Sequence, residues 1–295
     1  MQFGVGLENY GRHNSFDVIC RVALAAEELG YASVWTTDHV IVPKGTPEPY
    51  EHILESVVTL AMVSTLTRRV RLGTSVIVLP MRNPVLFAKQ IATIDAATGG
   101  RMIVGLGVGR HEGEFKNLSA NFRNRGRRLD EDITLLRALW SNEIVSFHGQ
   151  YTQITDSLFA PLPARKEIPI WIGGGGEPAW KRAAMFGDGW HPNGVPLDIF
   201  AEGVKYICDR KSSRPFTFAP RFSINMNPSV PPTFEQRGVL RRRLSGTDDD
   251  IRVALREYAR AGAEHIPLFF PMDDLSIALK QMERFRRDIA PEFVS

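Results

Sequence analysis

Two polar residues that could act on a substrate follow a short apolar stretch near the N-terminus. Residues 32–36 have the composition of a buried strand, and Asp38 and His39 come just after it. A histidine beside an acid can act as a general base or donate a hydrogen bond to a reacting group. A solvated pair that caps the next segment and a metal site are the alternatives, although no His-x-His pattern or carboxylate cluster supports a metal. The sequence favours an acid/base or orienting role, and predicts no metal.

Four consecutive glycines give the sharpest signal in the chain. Gly173, Gly174, Gly175 and Gly176 stand between an apolar stretch and a predicted helix. The backbone N–H groups of such a loop, with the helix dipole behind them, form a site for an anion such as a phosphate. The Lys and Ser/Thr of a nucleotide-triphosphatase loop are missing, so that chemistry is not expected. A flexible turn is the alternative, but it rarely needs four glycines.

A second glycine-rich stretch, residues 105–109 (GLGVG), ends another apolar run. It lacks the last glycine of a dinucleotide fingerprint. Gly107 and Gly109, on either side of Val108, still let a planar ring approach the backbone, because no Cβ intervenes. Glu114 follows closely. It either reaches the same space or caps a helix, and spacing alone leaves both interpretations open.

Hydroxyl groups interrupt an otherwise apolar strand at Thr74 and Ser75, just before Val76. Buried hydroxyls are unfavourable unless they are paired, so a bulge or a ligand contact is expected there. His191 follows a later short strand and could line the same pocket, whereas Trp171, Trp190 and Phe87 are predicted to be core residues.

The elements that must position these residues alternate regularly between strand and helix. Eight strand–helix pairs can be counted along residues 1–295, without a linker-like change in composition. This alternation predicts an α/β protein with a single domain, a closed (β/α)₈ barrel with insertion segments. A doubly wound open sheet is the alternative. In either architecture, active sites lie where the strands end, which is where the polar and glycine-rich residues stand.

Composition excludes several classes of partner. The chain has 36 Lys/Arg against 33 Asp/Glu, a net charge of +3, so a long polyanion such as nucleic acid is not expected. The only tight basic run, residues 241–243, is interpreted as a solvated helix face. No segment approaches the roughly 20 apolar residues that cross a bilayer, and the N-terminus has no signal-peptide pattern. Cys20 and Cys208 are predicted to be buried and reduced, which suits a cytoplasmic protein.

Together these motifs resemble the luciferase-like monooxygenase superfamily of flavin proteins, and most closely its branch that uses the deazaflavin coenzyme F420. The resemblance covers most of residues 1–290. It is strongest in residues 34–40 (VWTTDHV), 72–97, 101–115 and 169–190. Several motifs in the right order over this span are far more specific than any one of them.

The resemblance implies a (β/α)₈ barrel with the cofactor across the strand ends. By this likeness Asp38 contacts the deazaflavin ring, and His39 lies near its reactive face. Ser75 and Val76 match a bulge behind the ring that often holds a non-prolyl cis peptide. Gly107, Val108 and Gly109 match ring or ribityl contacts, and residues 173–176 match the cradle for the ribityl-linked phosphate. Arg110 is a departure, because some sugar-phosphate dehydrogenases of the family carry a catalytic glutamate there.

These considerations lead to a predicted function. We expect an oxidoreductase that transfers hydride between coenzyme F420 and a small organic substrate, with His39 and Glu114 as catalytic residues. An FMN-dependent monooxygenase is the first alternative, because the two cofactors share the ring shape and the phosphate-bearing tail. A non-catalytic flavin-binding protein is the second. By likeness, the protein is also expected to be a homodimer.

Overall fold

The computed structural model describes residues 1–12, 15–46, 49–165, 167–236 and 238–294. Within them the strands are β1 Gln2–Gly6, β2 Ser33–Thr36, β3 Arg71–Thr74, β4 Ile77–Val78, β5 Met102–Gly107, β6 Ile144–His148, β7 Gln153–Leu158, β8 Ile170–Gly173, β9 Gly189–His191, β10 Thr217–Phe218, β11 Phe222–Asn225, β12 Thr233–Gln236, β13 Val239–Arg242, β14 Leu244–Ser245 and β15 His265–Phe269. The α-helices are α1 Phe16–Glu28, α2 Ser56–Leu66, α3 Pro84–Thr98, α4 Glu112–Asn117, α5 Arg125–Ser141, α6 Glu177–Phe186, α7 Leu197–Cys208, α8 Asp248–Arg260 and α9 Leu275–Arg284.

The main sheet is parallel and curled, with helices packed outside it. Its strand order is β10-β9-β8-β5-β3-β2-β1-β15-β11-β14, and β4 also pairs with β5. The strands β10 and β11, which lie at or near opposite ends of this order, belong to one stretch of chain separated only by residues 219–221. An isolated parallel bridge joins Arg221 in that stretch to Asn193 beyond β9. The predicted α/β class is confirmed as a curled parallel sheet. The seventh strand, which the sequence predicts over residues 216–226, is interrupted between β10 and β11.

Large aromatic side chains fill the space enclosed by the curl. Trp35, Trp171 and Phe269 form a buried cluster with Ile103 and Ala219, and the rings of Trp35 and Trp171 stack with their centroids 5.2 Å apart. Glycines on neighbouring strands make room for them. A Cβ on Gly73 would lie 2.2 Å from the Trp35 ring, and one on Gly6 would lie 2.2 Å from Phe269. Glycine in these strands therefore follows from packing inside the curl.

Helix α3 forms where its capping residues predict it. The side chain of Asn83 accepts hydrogen bonds from the N–H groups of Val85 and Leu86, Pro84 stands in the first turn, and Gly99 ends the helix in the left-handed region. The spacing of apolar residues predicts the preceding helix over residues 52–66, but its start at residue 52 is wrong. Helix α2 begins at Ser56, because the side chain of Glu55 caps the N–H of Val58.

Two antiparallel hairpins leave the main sheet. The sequence predicts a short hairpin or an extended segment over residues 147–159, and the β6–β7 hairpin forms there. No hairpin was predicted at β12–β13. The β12–β13 hairpin contains Arg241 and Arg242, so the interpretation of residues 241–243 as a solvated helix face is wrong. The prediction for the cysteines also needs correction, since Cys20 is half-buried and Cys208 is exposed. Among the described residues, no helix has both the length and the apolar character to span a membrane.

Candidate functional site

The carboxyl ends of the parallel strands surround a cavity of about 250 Å³, which we call the ring cavity. Of the predicted site residues, only Glu114 and Gly176 do not line it. Its described lining comprises Thr37, Asp38, His39, Tyr50, Ser75, Val76, Gly107, Val108, Gly109, Arg110, Gly173, Gly174, Gly175, His191, Asn193, Arg221 and Arg241. Residues far apart in sequence meet here because parallel strands end at the same edge of a sheet.

His39 is held by a buried carboxylate. Its Nδ1 donates to Glu114 Oε2 at 2.8 Å, and the N–H of Val40 donates to Glu114 Oε1 at 2.7 Å. Burial raises the pKa of Glu114, but the hydrogen bonds from His39 and Val40 outweigh it and leave the pKa below its ordinary value. A charged Glu114 therefore fixes the ring so that Nε2 is the nitrogen left for the cavity.

Asp38 is fixed by an arginine that sequence reasoning missed. The buried Asp38 carboxylate accepts from the N–H of Val78 at 2.9 Å and from Arg82 at both oxygens. Arg82 also forms an ion pair with Glu55 at 2.8 Å. The loop after β2 is thereby bound to the turn after β4. No signal marked Arg82, because a lone arginine before a helix cap has no diagnostic spacing.

The floor of the cavity is a hydrogen-bonded network around Ser75, and the peptide bond between Ser75 and Val76 is cis. The Ser75 hydroxyl donates to His191 Nε2 at 2.7 Å, and His191 Nδ1 donates to the carbonyl of Ala219 at 2.6 Å. Arg221 donates to the Ser75 carbonyl and, at 2.8 Å, to its hydroxyl. Burial, with the nearby charge of Arg221, lowers the pKa of His191 to about 3, so this histidine is neutral.

Two of the predicted site glycines accommodate a protein side chain. A Cβ on Gly107 would lie 2.7 Å from Val76 Cγ2, and one on Gly173 would lie 3.0 Å from Val76 Cγ1. Val76 thus occupies space on the cavity floor between the ends of β5 and β8. Gly107 was interpreted as a place where a planar ring approaches the backbone, but its lack of a Cβ is also required by the packing of Val76.

We expect Gly107→Ala to destabilise the protein by about 1–3 kcal/mol, the typical cost of overpacking a core. Val76→Ala should recover much of this loss, because it removes the methyl group that the new Cβ meets. Chemical denaturation of the two single variants and the double variant measures the interaction free energy between the two substitutions. Additive effects would contradict the proposed contact between these side chains.

The tetraglycine loop leads into helix α6 with its backbone exposed. Gly176 is the N-cap residue and has no side chain to cap the helix. Among the described residues, the N–H groups of Gly175 and Gly176 have no hydrogen-bond acceptor in the protein. Gly174 has φ +113°, and a Cβ there would lie 2.8 Å from that of Ala179. The geometry is that of an anion cradle at a helix N-terminus.

Several further lining residues escaped sequence reasoning. Arg221 lies between β10 and β11, and its guanidinium stacks on Phe269 at 4.1 Å. Arg241 reaches in from the unpredicted β12–β13 hairpin and donates to the carbonyl of Asn193 at 2.6 Å. Burial, together with the charges of Arg110 and Arg221, lowers its pKa. The basic run at residues 241–243 could have indicated Arg241, but it was interpreted as part of a helix and not of the β12–β13 hairpin.

A second cavity of about 520 Å³ adjoins the first, and we call it the outer chamber. The two share Tyr50, Asn193 and Arg221 in their linings. The Tyr50 ring also packs against His39, with centroids 4.7 Å apart. The arrangement can hold a flat group with an anionic tail in the ring cavity and a second molecule beside it.

A curled parallel sheet with a glycine-lined cavity at its carboxyl end defines the class of protein. The chain belongs to the luciferase-like monooxygenase family, whose sequence profile matches residues 1–236.

Particular relatives are similar over different shares of the chain. An F420-dependent glucose-6-phosphate dehydrogenase of Kineococcus radiotolerans is 34% identical over 189 residues, which cover 61% of this chain and 53% of the relative. The structure of monooxygenase RslO1 from Streptomyces bottropensis has a TM-score of 0.83 at 22% identity and covers all of both chains. An F420-dependent secondary alcohol dehydrogenase in complex with an F420–acetone adduct has a TM-score of 0.80 at 18% identity, covering 100% of this chain and 99% of that one.

Proposed function

We propose that the protein is an oxidoreductase that transfers hydride between coenzyme F420 and a small organic substrate. The observation that carries the proposal is that the His39–Glu114 pair and the tetraglycine loop open on one cavity. The first supplies a positioned acid/base group and the second a cradle for a phosphate. The dehydrogenases named above as F420-dependent, one similar in sequence and one in fold, support this choice of cofactor.

The residues present fit such a cofactor. Gly174 and Gly175 leave no room for a Cβ beside Ala179 and Val195, so the cradle wall is bare backbone. The backbone N–H groups of Gly175 and Gly176 would hold the phosphate, and Gly107 to Gly109 with Val76 would face the ring. When bound, the deazaflavin supplies a carbon that accepts or donates a hydride.

The protein's own residues then orient the substrate and exclude water. Glu114 keeps His39 in one orientation, with Nε2 placed to hydrogen-bond a reacting oxygen in the ring cavity. The neutral His191 and the charged Arg221 keep Ser75 in place behind the ring. A site held this rigidly aligns the two reacting molecules, which can supply a large part of a rate enhancement.

Oxidation of a sugar phosphate is not part of the proposal. Arg110 stands where some relatives have a catalytic glutamate, and it lines the ring cavity. None of the described residues lining either cavity is a lysine. The substrate of the glucose-6-phosphate dehydrogenases is therefore not transferred to this chain.

Cofactor binding tests the proposal directly. The purified protein should carry or bind F420, identified by absorbance and mass, and should bind it more tightly than FMN when fluorescence is titrated. Added alcohols or ketones should then change the redox state of bound F420. Tight binding of FMN with no binding of F420 would overturn the assignment.

An FMN-dependent monooxygenase is the second candidate. The similarity in fold to the monooxygenase from S. bottropensis favours it, and the phosphate cradle suits both cofactors. Reduced FMN would then be consumed with oxygen in the presence of an apolar substrate, and F420 would not turn over.

We also propose that the curled sheet closes as an eight-stranded barrel. The supporting observation is that β10 pairs with β9 while β11 pairs with β15, so residues 217–225 act as one interrupted strand between the two. Pro220 in the middle of this stretch cannot donate to a sheet hydrogen bond, which accounts for the interruption.

We further propose a homodimer through helix α2. This helix is apolar on all sides, and Val58, Met62 and Leu66 are exposed on its outer face. Met62→Asp should convert dimer to monomer in sedimentation velocity, whereas Met185→Asp, at an even more exposed methionine on α6, should not. A wild-type protein that sediments as a monomer would contradict the proposal.

A further inference from the structure

The outer chamber contains a carboxyl group for which the proposed function has no role. Glu8 lies two residues after strand β1, at the same end of the sheet as His39, and lines the chamber with Tyr10 and Asp273. Its φ of 40° places it in the left-handed region, where residues other than glycine are uncommon and concentrate at functional sites. The backbone thus turns this side chain toward the chamber.

Two carboxyl groups, those of Glu8 and Asp273, line this chamber. Burial first, and then the charge of Asp273, raises the pKa of Glu8 to about 8 against the opposing effects of Arg221, the Tyr10 hydroxyl and the N–H of Met272. Burial, with the charge of Glu8, also keeps the pKa of Tyr10 well above its ordinary value. Glu8 is therefore a carboxylic acid at neutral pH and can donate a hydrogen bond or a proton.

The charges around the chamber indicate the class of molecule that fits. Arg221, on the wall shared with the ring cavity, is already bonded to Ser75 and Asn193. With Glu8 protonated, the charge of Asp273 disfavours an anion, while Arg221 and Arg12, which is paired with Glu51, disfavour a cation. An uncharged molecule with an oxygen that accepts a hydrogen bond satisfies both conditions.

We propose that an uncharged alcohol or carbonyl substrate binds in the outer chamber with its reacting group at the junction with the ring cavity, where the two linings share Tyr50, Asn193 and Arg221. There Glu8 exchanges the proton with the substrate oxygen while hydride is transferred directly between the substrate carbon and the cofactor. The inference rests on the proposed function. In oxidation, the substrate C–H bond breaks with both electrons going to the oxidised deazaflavin, the O–H bond breaks, and the proton goes to the Glu8 carboxylate. A C=O bond forms, and reduction reverses each step. His39 then holds the reacting oxygen.

The protonation of Glu8 can be tested without cofactor. Infrared spectra of the apoprotein from pH 5 to 9 should contain a carboxylic-acid C=O band that disappears with a midpoint near 8. Glu8→Gln should lack this band, and Asp273→Asn should lower its midpoint by removing the like charge. Glu235→Gln, an exposed glutamate outside both chambers, should leave it unchanged. Burial raises the pKa of Asp132 to about 7, so its band should be present in every variant. A band with a midpoint near 8 that survives in Glu8→Gln would overturn the inference.

Stability gives a second measurement that needs no band assignment. The folded protein retains a proton on Glu8 that the unfolded chain releases above its ordinary pKa of 4.5. The contribution of the protonated Glu8 to the free energy of unfolding is therefore fully present below pH 4.5 and is lost as pH rises to about 8. Between pH 5 and 8, Tm should therefore fall more steeply in the wild type than in Glu8→Gln. Parallel curves would overturn the inference.

Kinetics then separates this inference from the proposed function. With F420 and a panel of uncharged secondary alcohols and their ketones, Glu8→Gln should lower kcat by about 10²- to 10⁴-fold and remove the titration near pH 8 from its profile. Carboxylate-bearing analogues should be poorer substrates. If Glu8→Gln turned over at the wild-type rate with the wild-type pH profile, the role of Glu8 would be overturned and the proposed function would stand. If the wild-type protein did not bind F420, both would be overturned.

Discussion

Gly176→Asp is expected to weaken cofactor binding roughly 100-fold or more while leaving the fold intact. Gly176 is the N-cap of α6 with extended backbone, φ −121° and ψ 173°, which any residue can adopt. A Cβ there would meet only Pro178 Cδ, at 3.9 Å. Aspartate is a favoured N-cap residue, so the helix should be as stable or more stable. The carboxylate would, however, stand where the phosphate binds.

The expected loss of affinity follows from the repulsion between like charges. Two unit charges about 5–6 Å apart near a protein surface repel by about 3 kcal/mol, or roughly 100-fold in Kd. A doubly charged phosphate would lose more. Fluorescence titration with F420 or FMN measures the change, since both carry the phosphate.

Gly176→Asn is the matched control. Asparagine caps helices about as well as aspartate and fills the same space without charge. It should retain most of the affinity, with a Tm close to that of the aspartate variant. If Gly176→Asp and the wild-type protein bound the cofactor with equal affinity, the phosphate would have to bind elsewhere. Gly174→Asp would be a less clean test, because φ +113° and the contact with Ala179 add strain.

His39→Ala is expected to lower turnover by about 10²- to 10⁴-fold, the usual contribution of a positioned acid/base group. Cofactor affinity should change only a few-fold, because His39 is not part of the cradle. The measurement pairs steady-state kcat with a binding titration. His148→Ala, which removes an exposed histidine from the β6–β7 hairpin, should leave both unchanged.

Glu114→Gln separates orientation from acid/base chemistry. Both carboxylate oxygens accept hydrogen bonds, from His39 and from Val40, and the amide nitrogen of glutamine cannot accept. The glutamine either loses one of the two bonds or donates its N–H to His39 Nδ1, which moves the ring proton to Nε2. In both cases His39 stays near its place, so we expect a smaller decrease in kcat than for His39→Ala. A protein that fails to fold without His39 would show instead that the histidine is structural.

Much of the site was accessible from sequence because strand ends are marked by local composition. Residues at the carboxyl end of the sheet can be located without any knowledge of tertiary contacts. The signal is an apolar run followed at once by polar residues such as Asp38 and His39, or by four glycines. The same reasoning places Ser75 and His191 near one another, since both follow parallel strands. Their direct hydrogen bond depends on side-chain directions that no pattern encodes.

What could not be predicted depends on contacts across the fold. Gly107 was interpreted as ring access, but its lack of a Cβ also accommodates Val76, which is close in space only because of the local backbone. Arg241 follows a Pro-rich loop, and its basic run suits either a helix or a strand. The β12–β13 hairpin that brings it to the cavity is short and mostly exposed, so its strands have little periodicity to detect.

The attachment of the β12–β13 hairpin has a consequence for redesigning specificity. Its Arg241 side chain and the N–H of Arg242 donate to the carbonyls of Asn193 and Gly194, and Asn193 accepts in turn from Arg221 beneath the ring cavity. A library directed at new substrates should keep these two arginine positions constant and vary Phe234 and Gln236, the hairpin residues that line the outer chamber. Exchanging the whole segment between homologues would instead disturb the redox centre along with selectivity.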